Sequence, residues 1–483
     1  MRLTRRGMLA GLGAAVIARP LLAQSQIGAA APLANPFDPE PAILAAKLGG
    51  EVSFAVMDAA TGAMLSGRES ELMMAPASTL KVVTTLYALD RLGPDHRFVT
   101  RVFRHGDDLI LAGGGDPLLD TDGLAELAAA TVAAWQGVPP KRFLVWGGAL
   151  PRLERISDAQ DEYLPYNPSI SGMILNFNRV HLGWKAGQVS LEARGRRQSP
   201  RAYTIAIGAM DRRAPLFTYD GSGKKESWTI ARNAIGKSGS RWLPVRRPEL
   251  YAGDVFQTLC RAKGLVLPTP EVAGTAPLGD EIAHRDSPSL TEIARGMLEY
   301  STNLTAEVIG LSASGAASPE ASAQAMALWL QPLLPGERFE FHDHSGLSSR
   351  NRLTAATLTR LLAAEGERRG LADILKHIPL RDEQGKRKES DINVLAKTGT
   401  LNFVSNLAGY ADGPQGRRIA FTILTGDEPR RAATEGQELP EGMRAWVRRS
   451  KAMQQAMIEG WIGSMPAEIA APAPETVRAG VLR

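Results

Sequence analysis

The sequence predicts an α/β (α+β) protein whose main domain is split by a long β-rich insertion. Three observations carry this. A strand hairpin over 51–58 and 63–67 leads into a helix entered at Pro76. Three further strands, over 393–398, 403–410 and 418–424, close the patterned part of the chain. Between about 105 and 282 the texture is one of short strands with few helices, and after about 285 helices dominate. The early hairpin and the late strands complete one five-stranded sheet only if the chain leaves its first domain and later returns to it.

At 483 residues the chain has room for two or three domains with real cores. Its net charge of +5 is spread along the sequence. No basic stripe interleaved with aromatics is present, so nucleic acid is not an expected partner. The single cysteine, Cys260, excludes an internal disulfide and a multi-thiolate metal site, and its apolar surroundings predict a buried thiol. His342 and His344 stand alone, without a His-Glu-x-x-His motif, so neither a metal nor a cofactor is expected.

The elements follow in order. Arg5-Arg6 precedes an apolar run over 8–18, Arg19 interrupts that run, and Ala23 stands before Gln24. This describes an export signal of twin-arginine type over 1–23. The run is too short to span a membrane, so cleavage near Ala23 and release into the periplasm are expected, without stable membrane insertion. Residues 24–40 read as an Ala/Pro-rich linker and 466–483 as a loose tail. After the hairpin, Pro76 suits a helix entry because its missing N–H would be unpaired there anyway. That helix stops at Gly93-Pro94, and a strand follows over 98–103. Gly113-Gly114-Gly115-Asp116-Pro117 lacks the ending of a phosphate loop and reads as a tight turn. Strands are expected over 142–146, 203–207 and 227–231, a hairpin over 180–193, and helices over 124–135 and 250–263. Later helices fall at 290–300, 304–311, 321–330 and 355–364.

Ser78 and Lys81 lie three residues apart at the helix start, on one face, which sets a hydroxyl nucleophile beside an amine. Two more fragments fit this chemistry. Tyr300-Ser301-Thr302-Asn303 lies between helices, and Ala396-Lys397-Thr398-Gly399-Thr400 ends a strand. Ser-x-x-Lys, Ser-x-Asn and Lys-Thr-Gly, in that order, are the three motifs of the penicillin-interacting serine enzymes. The long interval between Lys81 and Ser301 leaves room for whole domains. Together with Leu92-Gly93-Pro94-Asp95-His96-Arg97-Phe98, Gly114-Gly115-Asp116-Pro117 and Asp343-His344-Ser345-Gly346-Leu347-Ser348, the chain resembles the low-molecular-mass class C penicillin-binding proteins over roughly 40–430. These are D-Ala-D-Ala carboxypeptidase/endopeptidases.

The resemblance implies a serine transpeptidase/β-lactamase-like domain, a five-stranded antiparallel sheet with helices, formed by 41–104 and 283–465. One or two inserted domains occupy 105–282. It implies that Ser78 attacks the penultimate D-Ala carbonyl of a peptidoglycan stem peptide, and that neutral Lys81 takes its proton. Lys397 would add a second positive charge that disfavours protonated Lys81. Ser301 would relay a proton to the leaving amine, and Asn303 would orient Lys81 and the substrate. Lys397, Thr398 and Thr400 would hold the terminal carboxylate on a strand edge, Gly399 would allow close approach, and Asn402 would join the substrate contacts. The N–H groups of Ser78 and Thr400 would form the oxyanion hole. β-Lactams would acylate Ser78 and so inhibit.

Some positions depart from the family pattern. His344 stands second in the Asp-Gly-Ser-Gly-Leu-Ser turn and reads as a packing residue. An arginine placed for substrate contact is displaced by one, to Arg350. Asp161 and Tyr166 align with positions that lean over the cleft toward a diamino-acid side chain. Two other functions fit the motifs less well. The large insertion opposes a β-lactamase, and the intact motifs oppose a weakly catalytic cell-wall scaffold. Oligomeric state is not written in the sequence.

Overall fold

The structure, a computed structural model, describes residues 37–465 apart from Glu383, with only the backbone at Gln415. The expected signal (1–23), the linker up to residue 36 and the tail (466–483) lie outside the described residues. Among those described, no helix is long and apolar enough to cross a membrane.

The main sheet has six antiparallel strands, in the order Lys376–His377, Asn393–Leu401, Val404–Asp412, Arg418–Gly426, Glu51–Asp58, Met64–Arg68. The early hairpin and the late strands therefore do share one sheet. The sixth strand, Lys376–His377, is only two residues long and carries no alternating pattern from which to foresee it.

The central strands are buried almost throughout. The pleat sends their side chains alternately to two apolar layers. Ala420 and Leu424 join the layer containing Leu80, Val83 and Leu86 of the Leu80–Leu92 helix. Ile419, Phe421 and Ile423 join Trp446, Met457 and Trp461 of the Met443–Ser464 helix on the other face.

The strand expected over 98–103 belongs to a second sheet. Val99–His105 pairs with Asp108–Ala112 on one side and with Asp280–Asp286 on the other. Arg142–Trp146 and Pro270–Val272 extend this sheet to five strands. Val99–His105 and Asp280–Asp286 are antiparallel neighbours, so the excursion begins and ends at one place. A long segment can then be carried there without pulling the first sheet apart. Two three-stranded sheets, built on Arg179–Lys185 and Glu226–Ala231, share one apolar core with the five-stranded sheet and the Thr121–Ala134 and Pro248–Arg261 helices. Cys260 is fully buried in that core, which pushes its thiol pKa up to about 12.

A smaller apolar cluster joins the two halves. Leu150, Ile170 and Ile174 pack against Leu304, Val308 and Leu311 of the Asn303–Ser314 helix. The opposite side of that helix accommodates the unusual His344. Its ring is fully buried, lies parallel to Tyr87 at 6.4 Å and places Nε2 2.7 Å from Ser322 Oγ. Burial pushes its pKa down to about 3, so the ring is neutral and packs rather than acting as a base. Gly310 makes the space, since a Cβ there would lie 2.2 Å from the ring. Gly310→Ala should therefore destabilise the protein by about 1–3 kcal/mol in chemical denaturation, the usual cost of overpacking. Adding His344→Gly should make that cost much smaller, a coupling that a double-mutant cycle measures.

Candidate active site

Three motifs from distant parts of the chain converge on one cleft of about 370 Å³. Ser78 sits in a 3-10 turn, Ala77–Thr79, that precedes the α-helix. Ala77 has φ +47°, a left-handed conformation that alanine adopts only under constraint. The constraint is visible on both sides of the turn. A Cβ on Gly346 would stand 1.8 Å from the Ala77 carbonyl oxygen, and one on Gly399 would stand 2.8 Å from that of Pro76. Backbone thus presses on the turn from two directions, with room for glycine alone. From beneath, the buried Asn406 amide donates to the carbonyls of Ala75 and Pro76 (2.9 Å each) and accepts from Thr425 N–H (3.0 Å).

The second motif is formed by two helix ends. Leu290–Tyr300 starts on a Ser289/Glu292 capping box and ends at Ser301, which takes a left-handed φ of +59°. Asn303 then opens the next helix. The third motif lies in the strand Asn393–Leu401.

The Lys81 amine is completely buried, and its Nζ has three partners: Ser78 Oγ at 2.9 Å, Asn303 Oδ1 at 2.9 Å and the Ser345 carbonyl at 2.6 Å. An ammonium donates to all three. A neutral amine donates to Asn303 and Ser345 and keeps a lone pair for the Ser78 hydroxyl to donate into. Asn303 is fixed in orientation, because its Nδ2 donates to the Tyr166 carbonyl (3.1 Å) while its Oδ1 accepts from Lys81. Lys397 Nζ, also buried, donates to Ser301 Oγ (2.9 Å) and to the Thr398 carbonyl (2.6 Å).

Burial lowers the Lys81 pKa to about 8, with Asp343 and Glu307 pulling in the opposite direction. This corrects the expectation that Lys397 is what depresses Lys81. Desolvation is the largest cause of the depression. Lys397 lies well below the usual lysine range through burial first, then Lys81 and Lys376, with Glu299 opposing.

Glu307, one turn beyond Asn303, has its pKa raised by burial and by Asp343, with Ser345, the His344 N–H and Lys81 opposing. Its carboxylate accepts from Ser345 N–H (2.9 Å) and His344 N–H (3.2 Å), and so aims the Ser345 carbonyl at Lys81. Asp343 accepts from Gly346 N–H, Asn351 Nδ2 and Ser348 N–H, which ties the turn together.

Ser78, Ser301, Asn303, Thr398, Thr400, Asn402 and Tyr166 line the cleft, and Gly399 backs the Ser78 turn. The Asn402 amide donates to the carbonyls of Thr434 and Gln437, so it anchors the 434–438 loop that forms one rim. Asp161 is not among the lining residues; it lies near Tyr163, whose pKa its charge helps to raise. Arg350 is exposed and is not among the lining residues, its N–H donating to Ser348 Oγ at 3.3 Å. Of the functional neighbours the sequence reading missed, Glu307 carried a signal, standing four residues after Asn303 on one helix face. Asn406 and the 434–438 rim carried none.

The chain belongs to the D-Ala-D-Ala carboxypeptidase 3 (S13) family, which it matches over residues 41–450. It is 28% identical to a D-alanyl-D-alanine carboxypeptidase of Actinomadura sp. (strain R39), covering 89% of this chain and 92% of that protein. It is also 28% identical to the carboxypeptidase DacB of Mycolicibacterium smegmatis, over 78% of this chain and 76% of that one. In fold it is similar to penicillin-binding protein 4 (dacB) of Haemophilus influenzae, with a TM-score of 0.68, 19% identity, and coverage of 88% of this chain and 99% of that one.

Asn406→Ala would remove the Asn406 partner of the Ala75 carbonyl and of the Thr425 N–H, while the Pro76 carbonyl keeps the Thr79 N–H and hydroxyl. An expected loss of about 2–4 kcal/mol should appear as a lower denaturant midpoint. Asn406→Asp, which keeps the acceptor for Thr425 but not the donors, should also be destabilised.

Proposed function

We propose that the protein is a serine D-Ala-D-Ala carboxypeptidase that also cuts D,D-crosslinks in peptidoglycan, with Ser78 as nucleophile and Lys81 as base. The observation that carries this reading is the Lys81 amine, buried and 2.9 Å from Ser78 Oγ, in a chain of the S13 family. Ser78 Oγ attacks the penultimate D-Ala carbonyl and its proton passes to the Lys81 lone pair. The N–H groups of Ser78 and Thr400 stabilise the oxyanion. As the peptide C–N bond breaks, the proton held by Lys81 passes through the Ser301 hydroxyl to the departing amine, which leaves Lys81 neutral again, while Lys397 holds Ser301 Oγ in place. Thr398 and Thr400 hold the leaving residue's carboxylate, and their strand pairs with the extended substrate. Water then hydrolyses the ester on Ser78, with Lys81 again as base. A β-lactam is attacked in the same way, and slow hydrolysis of its ester blocks the site. No step calls for a metal or a cofactor. The substrate lies in the cell wall, which agrees with export by the Arg5-Arg6 signal to the periplasm. We take the inserted unit to begin with the strand at 99 and to end with the strand at 286.

Two experiments test this reading. Ser78→Ala should release no D-Ala from a pentapeptide and take up no fluorescent penicillin; residual release at the wild-type rate would overturn the choice of nucleophile. The second concerns pH. Only neutral Lys81 accepts the proton, so penicillin acylation should rise with pH through about 8. Glu307→Gln removes a carboxylate that favours the ammonium, so its acid limb should move to lower pH. An unmoved limb, or one moved upward, would remove Glu307 from that role.

A further inference from the structure

Arg246 lies between the strand Ser238–Pro244 and the Pro248–Arg261 helix, and it is only 3% exposed. A guanidinium taken out of water is costly unless its donors find partners. Here the partners are backbone carbonyls. Nη1 donates to Glu154 (2.8 Å) and to Asn167 (2.9 Å), and Nη2 donates to Glu162. One side chain thus grips three points of a single loop, 154–167. The loop is also closed on itself. The buried Asn167 amide accepts from the N–H groups of Ile156 and Ser157 (2.9 Å each) and donates to the Ser157 carbonyl (2.8 Å). Arg246 is in turn held through its own backbone. Its N–H donates to Glu226 Oε2 at 2.8 Å, the Arg247 N–H donates to Glu226 Oε1 at 2.7 Å, and its carbonyl accepts from Arg152 Nη2 at 2.8 Å. Glu226 is buried at the start of the Glu226–Ala231 strand, so the grip on the loop is rooted in a sheet.

The loop ends at the catalytic motifs. Tyr166 and Asn167 are neighbours, and their carbonyls are committed in different directions. That of Asn167 accepts from Arg246, and that of Tyr166 accepts from Asn303 Nδ2 (3.1 Å). A carbonyl only accepts, so the Tyr166 carbonyl selects which end of the Asn303 amide faces it. With Nδ2 turned to Tyr166, Oδ1 is left for Lys81 Nζ at 2.9 Å. An amide free to turn over would offer Lys81 a donor in place of an acceptor.

We propose that Arg246 is a positioning residue for acylation: by holding the loop at Asn167 it keeps the adjacent Tyr166 carbonyl on Asn303, and so keeps the Asn303 oxygen on Lys81. This rests on the reading of Ser78 as nucleophile and Lys81 as base given above. Arg246 is not among the residues that line the cleft, and it acts through Tyr166 and Asn303.

The test follows penicillin acylation against pH in two variants, with rates taken per folded molecule as fixed by chemical denaturation. Arg246→Met keeps an unbranched side chain and removes the donors; Arg246→Lys keeps the charge and gives up the planar fork. Arg246→Met should acylate about ten-fold more slowly on the high-pH plateau, the worth of one hydrogen bond to a charged group, with Arg246→Lys in between. The acid limb should also move to lower pH. The Asn303 oxygen favours the ammonium, so its loss favours the neutral amine. Glu307, Asp343 and Lys397, the charged groups around Lys81, are unchanged in these variants. A slower enzyme with an unmoved limb would show a loss of structure only and would overturn the proposal.

A double-mutant cycle with Asn303→Ala, read over long incubations, isolates the route. Once Asn303 lacks its amide, Arg246→Met should change the rate by less than about two-fold. A full loss in that background, which an effect through the Tyr166 side chain would also give, overturns the proposal. So does an Arg246→Met protein with the wild-type rate and limb. If Arg246→Met does not fold, the same cycle run with Arg246→Lys decides. A wild-type protein that takes up no fluorescent penicillin would instead sink the underlying reading of Ser78 and Lys81.

Discussion

A lysine amine kept out of water beside a serine hydroxyl is the constraint on which the rest of the structure depends. Taking an ammonium out of water costs several kcal/mol, so the buried Lys81 holds its proton loosely. The surroundings must nevertheless satisfy it in both states. Asn303 Oδ1 and the Ser345 carbonyl accept from it in either state, and Ser78 serves as acceptor or donor as required. Glu307 and Asp343 limit the depression, keeping Lys81 near pH 8 rather than far lower. A base poised there can accept a proton and give it back, which both halves of an acyl-enzyme cycle need.

The architecture follows from keeping that amine dry and its partners fixed. The central strands are buried on both faces, so their register cannot slip by one residue without exposing one apolar layer and burying polar groups. That fixed sheet carries Lys397 and Gly399, and through Asn406 it grips the turn before Ser78. The strained Ala77 conformation is retained because Gly346 and Gly399 leave the turn no other path. Local strain at the Ser78 turn is thus offset by packing spread across the domain.

Much of this was legible in the sequence, and the reasons are specific. Ser78 with Lys81, Ser301 with Asn303, and Lys397 with Thr398 are short-range motifs whose spacing matches a helix face, a helix junction and a strand. The split sheet was legible from the order of strand patterns, with the hairpin before Pro76 and three strands after 390. What escaped was set by contacts between distant segments. The Lys376–His377 strand is too short to show a period. The strand over 98–103 has the pattern of any half-buried strand, and only its partner Asp280–Asp286 assigns it to the second sheet. Desolvation of Lys81 was invisible for the same reason, so the sequence reading gave Lys397 a role that burial performs. Arg350 was placed by motif position alone, which says nothing of where an exposed side chain points.

Asn303 shows why the two halves of the protein act as one site. Its amide has two ends, and each is committed. Oδ1 accepts from the Lys81 amine, while Nδ2 donates to the backbone of Tyr166 in the inserted region. The helix it opens packs Leu304, Val308 and Leu311 against Leu150, Ile170 and Ile174 of that same region. A shift of the insertion would therefore cost apolar contact and would also pull on the partner of Lys81. The inserted region's wall of the cleft and the buried Lys81 amine are registered through one side chain. An insertion that merely docked on the outer surface of the first domain would have no such lever on the chemistry.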